Sequence, residues 1–201
     1  RGQMPDNTLR LLLRHPGRVR AQIGITTLDE NVAKVFEPNA ATPSTRLRQM
    51  ATLIAGGVAT QARLDPVLPG VTDKPEALRG LFSALTKAGV NSVAVGLLFL
   101  RSRILHSLEQ NVRDRRMLEE TLNFYGDAGR LAIRAGSSTI TALPTATREE
   151  VFTRIRRIAE NSAIHVSVCA CKNPDLARGT CGIGGAFSRR SDGRPQQRLF
   201  V

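Results

Sequence analysis

The residues best suited to bind a metal ion lie near the carboxyl end of the chain. His165, Cys169 and Cys171 share odd-numbered positions, so an extended strand would place them on one face, and Cys181 follows a turn-like stretch. Imidazole and thiolate groups are typical zinc ligands, and thiolates also hold iron–sulfur clusters. The pattern predicts a zinc site or an iron–sulfur cluster. Inert buried cysteines and a redox-active thiol are the alternatives.

Composition places the chain among globular proteins that carry an excess of positive charge. The 201 residues include 29 Lys+Arg against 17 Asp+Glu, and 41% are hydrophobic. The longest apolar run, residues 93–100, is far shorter than the roughly 20 residues of a membrane-spanning helix, so we expect no membrane partner. Three cysteines, an odd number, argue against a secreted disulfide scaffold and favour the cytoplasm. Nucleic acid is the partner that the net charge suggests.

Strand-like and helix-like segments alternate along the first half of the chain. Residues 19–27, 58–68 and 90–100 are rich in β-formers, and two helical patterns at 43–55 and 77–88 separate them. Thr42 or Ser44 can cap the first helix, and Thr72 or Asp73 can cap the second. This order predicts an open α/β fold, a parallel sheet with helices on one face.

The second half of the chain completes the predicted domain plan. We expect helices at 103–126 and 148–161 and a last strand at 165–171. Four strands are too few for a closed barrel, which typically needs about 250 residues, so the chain predicts an open sheet or the second half of a barrel whose first strands precede Arg1. The predicted units are a barrel part at 1–161, a Cys-rich segment at 162–187 and a basic flexible tail at 188–201.

Residues 17–126 resemble the C-terminal half of radical S-adenosylmethionine (SAM) enzymes, in the branch similar to spore photoproduct lyase. In that branch a strand ends in Ser/Thr, a Glu-Pro pair follows, Arg-Leu opens a helix, and a Pro-Gly turn precedes an Asp. The matching residues here are Thr26-Thr27, Glu37-Pro38, Arg46-Leu47 and Leu68-Pro69-Gly70 with Asp73. The resemblance implies a partial (β/α) barrel and, for the intact enzyme, a lyase-like reaction that uses SAM and a 4Fe-4S cluster.

The family's cluster-binding loop, Cys-x3-Cys-x2-Cys, is not present in this sequence. In the family, the cluster in that loop binds SAM and cleaves it reductively to a 5′-deoxyadenosyl radical. The resemblance therefore implies a part of such an enzyme that does not start a radical by itself. It also makes the carboxyl-terminal cysteines candidates for a second cluster.

Polar residues at the carboxyl ends of the strands are the cofactor-binding candidates that the resemblance implies, because barrel active sites lie there. They are Thr26, Thr27, Arg63, Asp65 and Arg101. Hydroxyls suit ribose or carboxylate oxygens, Arg suits a carboxylate, and Asp suits a ribose diol. Relatives often have Ser at the position of Gly24, which moves that hydroxyl role to Thr26. The structural alternatives are hydroxyls that cap turns and an Arg63–Asp65 ion pair.

Two further function classes compete with the SAM enzyme. The net charge also suits a nucleic-acid-binding module without catalysis, and the cysteines suit a metal-stabilised interaction domain. Relatives that act on thymine dimers make DNA a possible substrate by analogy. The tail Gln196-Gln197-Arg198-Leu199-Phe200 resembles the short peptides that bacterial replication sliding clamps bind, so a clamp is another possible partner.

Overall fold

The structure, a computed structural model, describes residues 2–132, 139–168, 170 and 172–177, and these residues form α-helices and β-strands. In chain order they are α1 (Asp6–Arg14), β1 (Arg20–Gly24), α2 (Glu30–Phe36), α3 (Pro43–Ala55), β2 (Ala59–Val67), α4 (Pro75–Lys87), β3 (Ser92–Leu97), α5 (Ser102–Asn111), α6 (Arg115–Asn123), β4 (Gly129–Ala132), β5 (Thr139–Ala142), α7 (Thr145–Glu160) and β6 (His165–Val168). None of these helices is long and apolar enough to cross a membrane. The predicted tail at 188–201 lies outside the described residues.

The predicted open parallel sheet is confirmed. Strands β1, β2, β3 and β6 lie side by side in that order, and every neighbouring pair is parallel. Helices α3 and α4 connect the first three strands, and α7 leads into β6. Strands β1 and β6 are the two edges, so the described strands do not close into a barrel.

The hydrophobic core lies between the sheet and the helices. Strand β3 is buried along most of its length, as its continuous apolar run predicts for a central parallel strand. The core side chains of β2 and β3 are Ala62, Leu64, Val67, Val93, Val95 and Leu97, and α4 and α7 contribute Leu78, Leu81, Phe82, Leu85, Val151, Phe152 and Ile155. Burial of each larger side chain stabilises the fold by roughly 1.5–3 kcal/mol.

Helix α3 begins and ends where its sequence signals predict. The Thr42 hydroxyl accepts a hydrogen bond from the Thr45 amide at 3.2 Å, and Pro43 occupies the first turn, where no amide donor is needed. Gly57, at φ 80°, adopts the left-handed conformation just after the helix, which glycine does without strain. The helix therefore delivers the chain to β2 with a short connection.

The turn before α4 corrects one prediction. Helix α4 begins at Pro75, and Thr72 and Asp73 do not cap it; they hold the turn that precedes it. The Thr72 hydroxyl accepts from the Leu68 amide at 2.8 Å, and the Asp73 carboxylate accepts from the Gly70 amide at 2.7 Å. The Pro-Gly turn and its Asp are therefore a structural unit at the carboxyl end of β2.

The segment between β3 and α7 also differs from the prediction. The single helix expected at 103–126 is two helices, because the Asp114 side chain accepts from the Met117 amide at 3.0 Å and starts α6. An antiparallel hairpin of β4 and β5, which was not predicted, follows. The hairpin joins the sheet region through a bridge between Leu100 and Thr141, and the Tyr125 hydroxyl donates to the Leu98 carbonyl.

Candidate functional site

The face of the sheet opposite the core helices carries polar side chains, and we call it the polar face. Its polar residues include Gln22, Gln61, Arg63, Asp65 and Ser167, at positions that alternate with the core residues. Register places Gly24 beside Arg63 on one side and Ala94 on the other, with Ser167 next to Ala94. Small neighbours thus surround the long Arg63 side chain at the middle of this face.

Arg63, Asp65 and Lys172 form a charged cluster toward the carboxyl end of β2. The Arg63 Nε atom donates to Asp65 Oδ2 at 3.0 Å, and its terminal nitrogen also donates to that oxygen. Lys172 Nζ lies 2.5 Å from the same oxygen. The Asp65 side chain is 8% exposed, whereas those of Arg63 and Lys172 are 30% and 36% exposed. The cluster is a buried carboxylate under two partly exposed cations.

The charge state of Asp65 follows from these contacts. Burial alone would raise the pKa of this carboxyl, but the Lys172 ammonium and the Arg63 guanidinium together hold it below its usual range. Asp65 is therefore ionised at neutral pH, and the three side chains together carry one net positive charge.

Glycine at position 96 makes room for this cluster on the neighbouring strand. A Cβ atom there would lie 3.0 Å from both Asp65 Cγ and Oδ1, which is closer than van der Waals contact allows. The Asp65 carboxylate thus rests directly against the backbone of β3.

A chain of hydrogen bonds links the cluster to the opposite end of the sheet. Arg63 donates to Gln22 Oε1 at 2.9 Å, and Gln22 donates to Gln61 Oε1 at 2.6 Å. Both glutamines line a cavity of about 490 Å³ at the amino ends of the strands, together with Asn91 and Ser92. The polar face therefore runs continuously from this cavity to the charged cluster.

The threonines at the end of β1 have different surroundings. Thr27 is buried, and its hydroxyl accepts from the Asp29 amide at 3.0 Å, which matches the structural alternative of a capping hydroxyl. Asp29 in turn caps α2 through the Asn31 and Val32 amides. Thr26 is also buried, at 9% exposure. Thr26 is the better candidate of the two to contact a ligand.

A buried ion pair fixes the end of β1. Arg46 is 2% exposed and donates to the Gly24 carbonyl at 3.0 Å, to the Ala41 carbonyl at 2.8 Å and to Glu37 at 2.5 Å. The Glu37 and Arg46 motifs of the resemblance thus hold the strand end in place. Arg101, the last strand-end candidate, is exposed at the start of α5, after the Leu100 bridge.

The predicted metal ligands are only partly described. Cys169, Cys171 and Cys181 lie outside the described residues, and the observed strand β6 ends at Val168. His165 is exposed at the start of β6. Among the described residues, no group of three or more His, Cys, Asp or Glu side chains could hold a metal ion. The metal site therefore stays a prediction.

Sequence reasoning missed Lys172 and the contacts that hold its segment. Arg148, 2% exposed, donates to the Leu143 carbonyl at 2.9 Å, to Asn173 at 3.2 Å and to Asp175 at 3.0 Å. The hydrogen bond from Arg148 lowers the pKa of Asp175. The available signal was a Thr-x-Thr-Arg start to α7, which resembles the Ser-Thr-Arg start of α3. In both helices this arginine donates to the carbonyl five residues earlier and to a distant carboxylate.

These features define an open α/β half-barrel with a charged cluster toward the carboxyl end of its polar face. Solved structures of spore photoproduct lyase match this fold. One variant with bound AdoMet and dinucleoside spore photoproduct matches with a TM-score of 0.63 and 17% identity, covering 82% of this chain and 48% of that one. A complex with dinucleoside spore photoproduct matches with a TM-score of 0.60 and 17% identity, covering 80% and 48%. The predicted resemblance is thus confirmed at the level of the fold.

This chain spans about half the length of the lyase structures that it matches. No protein-family model matches the sequence, and no curated protein does.

Proposed function

We propose that this chain forms the carboxyl-terminal wall of a SAM-dependent barrel enzyme of the radical SAM type, with its site at the carboxyl end of the polar face. The observation that carries the proposal is the charged cluster at that end of a sheet whose fold matches a lyase structure with bound AdoMet. In barrels of parallel strands, active sites lie at the carboxyl ends. The site residues that we propose are Thr26, Arg63, Asp65 and Arg101.

The donor set of the cluster suits the polar parts of SAM. Arg63 and Lys172 are partly exposed cations that can bind a carboxylate. SAM bound next to a reduced 4Fe-4S cluster supplies radical chemistry. The sequence lacks the family's three-cysteine loop, so we assign no residue of this chain to that cluster. The role that we propose for this chain is to bind SAM and to orient it.

Titration calorimetry with SAM tests the proposal on the chain itself. We expect saturable binding that Arg63→Met weakens at least about tenfold, equivalent to 1.4 kcal/mol. Arg79→Met is the matched control, because Arg79 pairs with Glu76 on an exposed surface of α4. Absence of SAM binding up to about 1 mM, where the binding free energy is only about 4 kcal/mol, would reject the proposal.

A second candidate function, binding to nucleic acid, has its own observation. Residues 7–28 contain Arg10, Arg14, Arg18 and Arg20 and no acidic residue, and all four arginines are exposed. Exposed arginines bind phosphate backbones in a salt-dependent way. Fluorescence anisotropy with duplex DNA tests it through a plot of the logarithm of the binding constant against the logarithm of the salt concentration. Replacing Arg10 and Arg14 by Gln should lower the magnitude of this slope by about 0.9 for each phosphate that the variant no longer neutralises. Replacing Arg156 and Arg157 in the same way is the control.

A further inference from the structure

The cluster of Arg63, Asp65 and Lys172 is built so that its cations face solvent and its carboxylate does not. Asp65 is 8% exposed and lies against Gly96, whereas both cationic side chains are about one-third exposed. Both cations contact the same Asp65 oxygen, so their nitrogen atoms lie within the span of a single carboxylate or phosphate group.

Like charges that are held this close repel each other unless an anion lies between them. The Asp65 carboxylate supplies that anion, and the three side chains together keep one net positive charge. A second anion that arrives from solvent can then contact both cations, because the planar Arg fork and the Lys ammonium each carry several donors.

We propose that Arg63 and Lys172 form an oxyanion-binding subsite, with Asp65 as its buried counter-ion, for a carboxylate or phosphate group of the ligand. This assigns Asp65 a positioning role in place of the direct diol contact that the sequence suggested. If the bound group is a carboxylate, the proposal rests on the proposed function, since SAM has a methionyl carboxylate. If the bound group is a phosphate, it is the phosphodiester of a dinucleotide.

The segment that supplies Lys172 is held in place independently of the ligand. Asn173 is fully buried and bonded to Arg148, and Asp175 also pairs with Arg148. A cation that is positioned before binding loses less conformational entropy when the ligand arrives. Lys172 is therefore a prearranged part of the subsite.

Matched pairs of probes separate the two sources of the anion. S-adenosylhomocysteine and 5′-methylthioadenosine differ by the amino-acid group that carries the carboxylate. Thymidylyl-thymidine and thymidine differ by a nucleotide unit that carries the phosphodiester. We expect the wild-type chain to prefer the member that carries the carboxylate or the phosphodiester in at least one pair by about tenfold, measured as the ratio of dissociation constants.

Variants of Lys172 decide whether the subsite causes that preference. Lys172→Met should reduce the ratio to near one, and Lys172→Arg should keep most of it. Lys74→Met, which removes a lysine from an exposed pair with Glu120, should leave it unchanged. Urea unfolding of each variant shows whether it is folded. If Lys172→Met does not fold, the binding preference of Lys172→Arg tests the subsite instead.

Each outcome bears on the proposal. A Lys172-dependent preference for thymidylyl-thymidine without S-adenosylhomocysteine binding supports the subsite and counts against the SAM function. If neither S-adenosylhomocysteine nor thymidylyl-thymidine binds, the proposed subsite is overturned. It is also overturned if Lys172→Met leaves the preference intact, or if Lys172→Arg loses the preference although the chain is folded.

Discussion

Lys172 Nζ lies 2.5 Å from Asp65 Oδ2, although 107 positions separate the two residues in the sequence. The contact joins the segment after β6 to the carboxyl end of β2, across β3. The Lys172 ammonium thus lies at the carboxyl end of a strand, where barrel enzymes bind their ligands, although no local sequence pattern predicts it there.

Gly96→Ala tests how tightly the cluster is packed. The new methyl group would lie 3.0 Å from Asp65 Cγ, so we expect the carboxylate to shift, with a loss of about 1–3 kcal/mol in the free energy of unfolding, as for overpacked sites. Gly80→Ala in α4 is the control: it meets no atom within 4 Å and should be neutral or stabilise by up to about 1 kcal/mol. Equal effects in urea unfolding would contradict the packing described.

Arg46→Met should strongly destabilise the fold. The change leaves the Glu37 carboxylate, 9% exposed, without its Arg46 partner, and loss of one member of a buried pair typically costs about 3–5 kcal/mol. Urea denaturation measures the loss. Arg79→Met breaks an exposed pair with Glu76 and should cost about 1 kcal/mol or less. A similar small cost for Arg46→Met would show that this pair does not hold β1.

Stability should fall in acid because of Asp65 and Asp175. Both carboxyls have a lower pKa in the folded chain than the roughly 3.9 of an unfolded aspartate. Their contribution to stability is therefore complete above about pH 4 and is lost as the pH falls through the folded pKa. Asp175→Asn should flatten the curve of unfolding free energy against pH below about pH 4, whereas Glu149→Gln, an exposed change on α7, serves as control. An unchanged slope for Asp175→Asn contradicts the assignment.

The carboxyl-terminal cysteines should bind metal if the sequence prediction is right. We expect Cys169→Ser to lower the zinc or iron content per chain, measured by mass spectrometry after anaerobic purification, because thiolate ligands hold these metals. His165→Ala should also lower it, and His15→Ala should not. Metal-free wild-type protein, even after reconstitution, would reject the metal site and leave inert cysteines or a redox-active thiol as the interpretation.

The sequence predicted the sheet well because its signals are local. Continuous apolar strands such as β3, the Thr42 cap and the glycine after α3 each act within a few residues, and they define β/α units wherever those units lie. The Asp114 cap that divides 103–126 is also local, but it lies inside a helical pattern that concealed it.

The site was less predictable because it depends on distant contacts. Arg63 and Asp65 were candidates from their place on β2, and the predicted alternative of an ion pair between them is observed. The third charge is Lys172, whose position depends on the ion pair between Arg148 and Asp175 in the segment after β6. Sequence spacing does not predict such a distant contact. Thr27 is the opposite case, because its contact is local. Its hydroxyl accepts from the Asp29 amide in a turn, and the sequence predicted such a capping hydroxyl as an alternative.

Amide chemical-shift mapping of the ¹⁵N-labelled chain with SAM tests the central claim most directly. We predict that SAM shifts the amide signals most at the carboxyl end of the polar face, at Thr26, Arg63 and Lys172, and that these shifts saturate. Lys172→Met should weaken the binding, and Lys74→Met should not. Shifts confined to the amino-end cavity, around Asn91 and Ser92, or no shifts at all, would contradict it.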